Sequence, residues 1–154
     1  MIAQDRSDIT QLMYRYADAM DRRDIDAVLR CFTDDAETSW HGGAVSASGG
    51  RELQRFLENA FSDDVLGSAA KPSSHLMANV MIELDGDRAQ VETTALACVT
   101  NHPDLVTVRG IHYSDVCERD ADGWRIRTRH HRADWEFSAP GQTTGPIAAP
   151  GGTS

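Results

Sequence analysis

Histidine and aspartate are the side chains best suited to moving a proton near neutral pH, and one pairing in this sequence invites that chemistry: His75 with Asp21. An imidazole has an ordinary pKa of about 6.5, so it can act as a general base at neutrality. Alone it is not a catalyst. It needs a carboxylate to fix its tautomer and to stabilise the imidazolium formed when it takes a proton. Asp21 falls four residues after Ala17, at the edge of an apolar helical stripe, where its carboxylate can turn inward. It also belongs to the charged run Asp21-Arg22-Arg23-Asp24, which reads equally as a solvated helix end.

His75 sits on a segment of alternating character. One face carries Leu76, Ala78, Val80, Ile82 and Leu84; the other carries His75, Met77, Asn79, Met81 and Glu83. Two methionines and a neutral amide beside the imidazole suit a strand that lines a cavity, because methionine is usually buried. The rival reading is a solvent face. Five more residues are candidates. Tyr16 is either plain core or a hydrogen-bond donor to a departing oxygen. Trp40 ends a short strand and can line a pocket mouth or simply pack. His112 is a satisfied core histidine or a second polar pocket group. Strict alternation places Arg125, Arg127, Arg129 and His131 on one face of the last strand, and Trp124, Ile126, Thr128 and His130 on the other. Arg129 therefore reaches a cavity only if a bulge shifts the parity; otherwise His130 takes its place.

Other chemistries find little support. His130 and His131 are adjacent, so on a strand they point apart, and no HxH or HExxH spacing occurs; no metal site is expected. No glycine-rich phosphate cradle and no GxSxG elbow is present, so no organic cofactor is expected. The three cysteines, Cys31, Cys98 and Cys117, are widely spaced and read as small buried apolar residues. The single lysine, Lys71, precedes Pro72 in an expected loop, which speaks against Schiff-base chemistry.

These side chains must be positioned by elements the pattern also predicts. Ile9, Leu12, Met13, Tyr16, Ala17 and Met20 form one helical stripe, with Ser7 as the expected cap. Asp24 caps a short helix through Phe32, and a third helix runs from about Glu52 to Phe61, with a short strand at Ala36–His41 between them. After residue 72 the period changes to two, predicting strands over Ser73–Leu84, Arg88–Thr100, Leu105–Arg119 and Trp124–Phe137, joined at Asp85-Gly86-Asp87, Asn101–Asp104 and Asp120–Gly123. Helices followed by an antiparallel meander predict an α+β fold: three N-terminal helices packed on a strongly curved, mostly antiparallel sheet, a cone with room for a ligand. Residues 1–137 are expected to form one domain, and 138–154 a Gly/Pro-rich tail.

The 154 residues carry 24 acidic against 15 basic side chains, a formal charge of −9, which argues against nucleic acid or an anionic membrane as partner. Hydrophobic residues make up 40%, an ordinary globular share, yet no apolar run approaches the ~20 residues of a membrane span. The first ten residues lack the pattern of a secretory signal, so the cytoplasm is the expected compartment.

Three stretches carry a resemblance: YRYADAMDRRDIDAVLRCFTDDA, SSHLMANVMIEL and VCERDADGWRIRTRH. They resemble the SnoaL-like branch of the nuclear-transport-factor-2-like superfamily over roughly residues 8–137. Its lyase members include scytalone dehydratase, bile-acid 7α-dehydratase and hexachlorocyclohexane dehydrochlorinase. The resemblance implies the cone fold. It also implies that Asp21 and His75 match an Asp–His dyad, Tyr16 a tyrosine of the bile-acid enzymes, and Arg129 an arginine of the dehydrochlorinases. One departure is plain: Thr94–Cys98 offers no acid or histidine where some dehydratases carry one.

The expected function is therefore a cofactor-independent lyase or isomerase. His75 removes a proton from carbon, Asp21 orients it, and Tyr16 with Arg129 or His112 stabilises the developing charge. Trp40, Met77, His112 and His130 are expected around a small, mostly apolar cyclic substrate. The alternatives are a polyketide cyclase, an epoxide-hydrolase-like enzyme, or a non-catalytic ligand-binding or dimerisation module. An open sheet with an apolar convex face needs covering, so a homo-oligomer is expected, a trimer rather than a dimer by resemblance.

Overall fold

A computed structural model describes residues 2–62, 72–102 and 105–141. Lys71 and the chain beyond Gly141 lie outside the described residues. Helix α1 spans Ile2–Arg22 and buries Ile9, Leu12, Met13, Tyr16 and Ala17, the stripe its spacing dictates. Complete burial of Ile9, Leu12 and Met13 stabilises the packing by roughly 1.5–3 kcal/mol each. Ser7 does not cap this helix; it lies inside it, because the N-terminal turn is anchored by Asp5 instead. Asp5 accepts from Arg119 Nη1 at 2.6 Å and Trp124 Nε1 at 3.2 Å, and Arg6 donates to the Ile82 carbonyl at 2.7 Å.

Helix α2 spans Ile25–Arg30, and Asp24 caps it by accepting from the Ala27 amide at 2.9 Å. Strand β1 spans Phe32–Trp40, four residues longer at its start than the alternation suggested. A single 3-10 turn at His41–Gly43 leads into β2, Val45–Ser48, and α3 follows at Gly50–Ala60. The strands β3 (Ser73–Asp85), β4 (Arg88–His102), β5 (Leu105–Asp120) and β6 (Gly123–Pro140) form the meander. Strand β6 runs three residues past Phe137, into the segment read as tail. It does so because Ala139 and Pro140 pair with Val106 and Leu105.

The six strands form one curved sheet in the order β2-β1-β6-β5-β4-β3, antiparallel except where β1 pairs in parallel with β6. The helices cover its concave face. Two bulges decide which side chains look inward. In β3 the pairing slips between Ala78 and Met81, and Asn79 takes a positive φ of 44°. His75 and Met77 therefore face in before the bulge, whereas Val80, Ile82 and Leu84 face in after it. Leu76 and Met81 are left 53% and 65% exposed on the outer face. Neither of the two faces read from strict alternation survives whole. In β6 the pairing slips at Arg127, between Ile126 and Thr128, so Arg129 and His131 share the inner face with Trp124 and Ile126.

Candidate active site

Asp21 and His75, 54 residues apart, meet because α1 ends where β3 begins. The helix closes on a Schellman motif: the Asp24 amide donates to the Ala19 carbonyl at 3.0 Å, and the Arg23 amide to Met20 at 3.1 Å. Arg23 occupies the left-handed position of that motif with φ 56°, which glycine usually fills, at a cost of roughly 1–2 kcal/mol. The turn leaves Asp21 in the last helical turn facing the start of β3. There it accepts three bonds: from His75 Nδ1 at 2.7 Å, from the His75 amide at 2.8 Å, and from Ser73 Oγ at 3.0 Å. The two side chains are 12% and 24% exposed, histidine first. A carboxylate held by three donors cannot rotate freely. It fixes the imidazole with Nδ1 protonated and leaves Nε2 as the basic nitrogen.

The imidazole lines a pocket of about 530 Å³, together with Tyr16, Met20, Trp40, Phe56, Ile111, Tyr113 and His131. That volume lies within the usual range for small-molecule sites. Trp40 and Phe56 stack at 3.8 Å, so β1 and α3 close one wall with aromatic surface. A larger hollow of about 630 Å³ lies between α2, α3 and the start of β1, but no histidine lines it. Its Glu52 is already engaged, accepting from the Ser48 amide at 2.9 Å. The His75 imidazole, held by Asp21, faces the smaller pocket.

Arg129 reaches the interior through the β6 bulge, but it does not reach the pocket. Its side chain is 0% exposed and binds Asp115 through two bonds, Nε to Oδ1 at 2.8 Å and Nη2 to Oδ2 at 2.5 Å. The guanidinium lies 4.0 Å from the Tyr16 ring centroid and 4.4 Å from that of Tyr113. It is a buried cation behind two phenols, not a group facing ligand. Burial works against its charge, yet Asp115 outweighs that and holds Arg129 protonated above its ordinary range. Burial pushes both phenols upward, against the pull of Arg129, so Tyr16 and Tyr113 present neutral O–H donors.

Three expected pocket residues stand elsewhere. His112 points to the outer face, where its Nε2 meets Glu92 at 2.7 Å beside Ser114. His130 is exposed on that face, with Nδ1 2.8 Å from Ser39 Oγ. The Arg127 bulge put it there. Met77 shares the inner face with His75 but packs against the core rather than lining the pocket. The sequence reading missed Tyr113 and His131. Tyr113 is completely enclosed at the pocket floor, and His131 pairs across the strands with it. The signal for His131 was the parity shift itself, which alternation alone does not reveal. Among the described residues no group of three or more His, Cys, Asp or Glu is placed to hold a metal ion, and no helix is long and apolar enough to cross a membrane.

Comparison with known proteins agrees with this architecture. A SnoaL-like domain profile matches residues 1–130. An uncharacterised protein of Mycobacterium bovis is 31% identical over 129 residues, which cover 81% of this chain and 82% of that one. A solved structure of a candidate aromatic ring hydroxylase from Novosphingobium aromaticivorans has a TM-score of 0.75 at 24% identity, covering 90% of this chain and 94% of its own. A candidate scytalone dehydratase from the same species gives 0.74 at 19%, covering 94% and 93%. A type 2 hexachlorocyclohexane dehydrochlorinase gives 0.75 at 16%, covering 94% and 95%. At such identities these structures speak for the fold alone. With a family profile that matches residues 1–130, the chain belongs to the SnoaL-like domain family.

Proposed function

We propose that this protein is a cofactor-independent lyase or isomerase in which His75 removes a proton from carbon of a small, mostly apolar ring compound. The observation that carries the reading is the 2.7 Å contact between His75 Nδ1 and Asp21 at the wall of an aromatic-lined pocket. Asp21 keeps the proton on Nδ1, so Nε2 is free to accept one, and its charge stabilises the imidazolium that results. The base contributes about 10²–10⁴-fold, and the remainder comes from positioning and from donors aimed at developing negative charge. Tyr16 is placed to supply one such donor. Arg129 acts behind it as a positioning residue, polarising both phenols without touching substrate. Loss of water or halide from the adjacent carbon then completes an elimination, or reprotonation elsewhere an isomerisation. The names attached to structural neighbours, a dehydratase and a dehydrochlorinase, support this class of reaction. A screen of cyclic hydroxy-ketones and halogenated rings for enzyme-dependent release of water or halide tests it. His75→Ala should abolish the release, and undiminished turnover by that variant would remove the mechanism.

We further propose a homo-oligomer assembled through the outer face of the sheet. Leu76, Leu96, Gly110 and Trp135 are directly opposed across β3, β4, β5 and β6, making an apolar row, and Phe137 stacks on Trp135. Gly110 is required there, because a Cβ would come within 2.2 Å of the Trp135 ring.

A further inference from the structure

One row of the sheet runs straight across the pocket. His75 on β3 is opposed to Ala97 on β4, Ala97 to Arg109 on β5, and Arg109 to Glu136 on β6. His75, Ala97 and Arg109 all line the cavity. Neighbouring strands lie about 4.8 Å apart, so the backbones of His75 and Arg109 stand roughly 10 Å from each other. Ala97, buried between them, offers only a methyl group, so no side chain of the row fills the space between imidazole and guanidinium.

Charge on this lining runs against the chain as a whole. The protein has a formal charge of −9, yet among the described residues two arginines, Arg23 and Arg109, line the cavity and no aspartate or glutamate does. The Arg109 side chain is 39% exposed, and its Nε donates to Glu136 Oε2 at 2.7 Å. That bond steadies the side chain and leaves both Nη groups, the end of the guanidinium fork, without a hydrogen bond among the described residues. Glu136 itself is mostly solvated and outside the lining. Asp21, behind His75, has both oxygens engaged by its three donors. A planar fork of N–H donors matches a carboxylate, which takes two parallel bonds, and a cleft lined by one sign of charge concentrates ligands of the other.

We infer that the ring compound taken by this pocket carries a carboxylate, held by the Nη groups of Arg109 while the ring lies over Ala97 with its reacting carbon at His75. This rests on the function proposed above and narrows its substrate class from apolar rings to ring carboxylic acids. Arg109 sets specificity and register along the row; no bond is made or broken there. Uncharged rings still enter against Trp40 and Phe56, more weakly.

The probes are 2-naphthoate and its uncharged isostere 2-naphthamide. Each is titrated calorimetrically into the full-length wild-type protein, Arg109→Gln, Arg109→Lys and His75→Ala. Wild type should bind the acid about tenfold more tightly than the amide, and added salt should shrink that preference. Arg109→Gln should erase the preference while its amide affinity stays within about twofold of wild type, and Arg109→Lys should keep part of it. His75→Ala should keep it whole, since that change removes the base and not the partner of the anion. Equal affinity for acid and amide in wild type, an undiminished preference in Arg109→Gln, or binding of neither probe would overturn the inference. Loss of the preference in His75→Ala would overturn it too, by placing the anion on the imidazole. None of these titrations measures proton removal by His75, which the release assay on His75→Ala tests by itself.

Discussion

Removing the carboxylate from Asp115, buried behind the pocket with Arg129, should destabilise this protein strongly. Arg129 is 0% exposed and Asp115 meets it through two bonds of 2.8 and 2.5 Å, with Met13 Sδ 3.1 Å from the same guanidinium. Nη1 of Arg129 already lacks a hydrogen-bond partner among the described residues, so the guanidinium is short of acceptors even with the aspartate in place. Breaking a buried pair from one side leaves an uncompensated charge and costs about 3–5 kcal/mol. That is a large part of a typical total of about 5–15 kcal/mol. At about 2–4 °C per kcal/mol for a chain of this size, Asp115→Ala should melt roughly 6–20 °C below wild type. The informative arm is the double variant. Arg129→Met with Asp115→Leu replaces both charges by apolar groups, which is often neutral or stabilising, so it should recover most of the loss. Urea unfolding followed by circular dichroism on all four proteins gives the coupling energy, expected at about 2 kcal/mol or more. Single variants that each cost under about 1 kcal/mol, or a double variant whose loss equals the sum, would refute the reasoning. The recovered double variant should still turn over slowly, because Tyr16 and Tyr113 would lose the cation 4.0 and 4.4 Å from their rings.

Three further outcomes follow from the geometry. His131 is depressed to about 4 against an ordinary 6.5, so between those values the unfolded chain binds more protons and stability falls as pH drops through that window. After allowance for solvent screening the effect is about 1–2 kcal/mol. Urea unfolding of His131→Gln at pH 4.5 and 7 should show a pH dependence smaller by that amount, and an unchanged dependence would contradict it. Asn79 holds the β3 bulge at φ 44°, where a β-branched residue costs roughly 1–2 kcal/mol. Asn79→Val should lower the melting temperature while Asn79→Gly should change it little; equal effects would remove the bulge argument. Light scattering after size exclusion should find a homo-oligomer, a trimer by preference, and Trp135→Arg with Leu76→Arg should reduce it to monomer; a monomeric wild type would end that proposal.

How far the sequence could be read depended on whether its period held. Helix α1 was legible because Ile9, Leu12, Met13 and Tyr16 repeat without interruption, and the turns after β3 and β5 stood out as glycine and aspartate clusters. The cap at Asp24 was legible from its own chemistry, whereas Ser7 misled because tertiary partners of Asp5 extend the helix beyond it. Strand β2 was hidden: four residues between glycines are too few to show a period, although its partners on β1 lie only 5 to 11 residues away. The strand faces failed where bulges intervene. A single extra residue at Arg127 exchanged His130 for His131, and one at Asn79 divided the apolar row of β3 between core and outer surface. The contact of Asp21 with His75 was suggested by resemblance and by the edge position of Asp21. The motif that delivers it, Arg23 in a left-handed conformation, has no local sequence signature.

The central claim is that Nε2 of His75 takes a proton from carbon, and the direct measurement is deuterium incorporation. β-Tetralone incubated in D₂O with the wild-type protein should exchange its α-hydrogens well above the buffer rate, as followed by mass spectrometry. His75→Ala should lose about 10²–10⁴-fold of that acceleration, and Asp21→Asn a substantial part of it. Exchange by His75→Ala at the wild-type rate, or a wild-type protein no faster than buffer, would contradict the account.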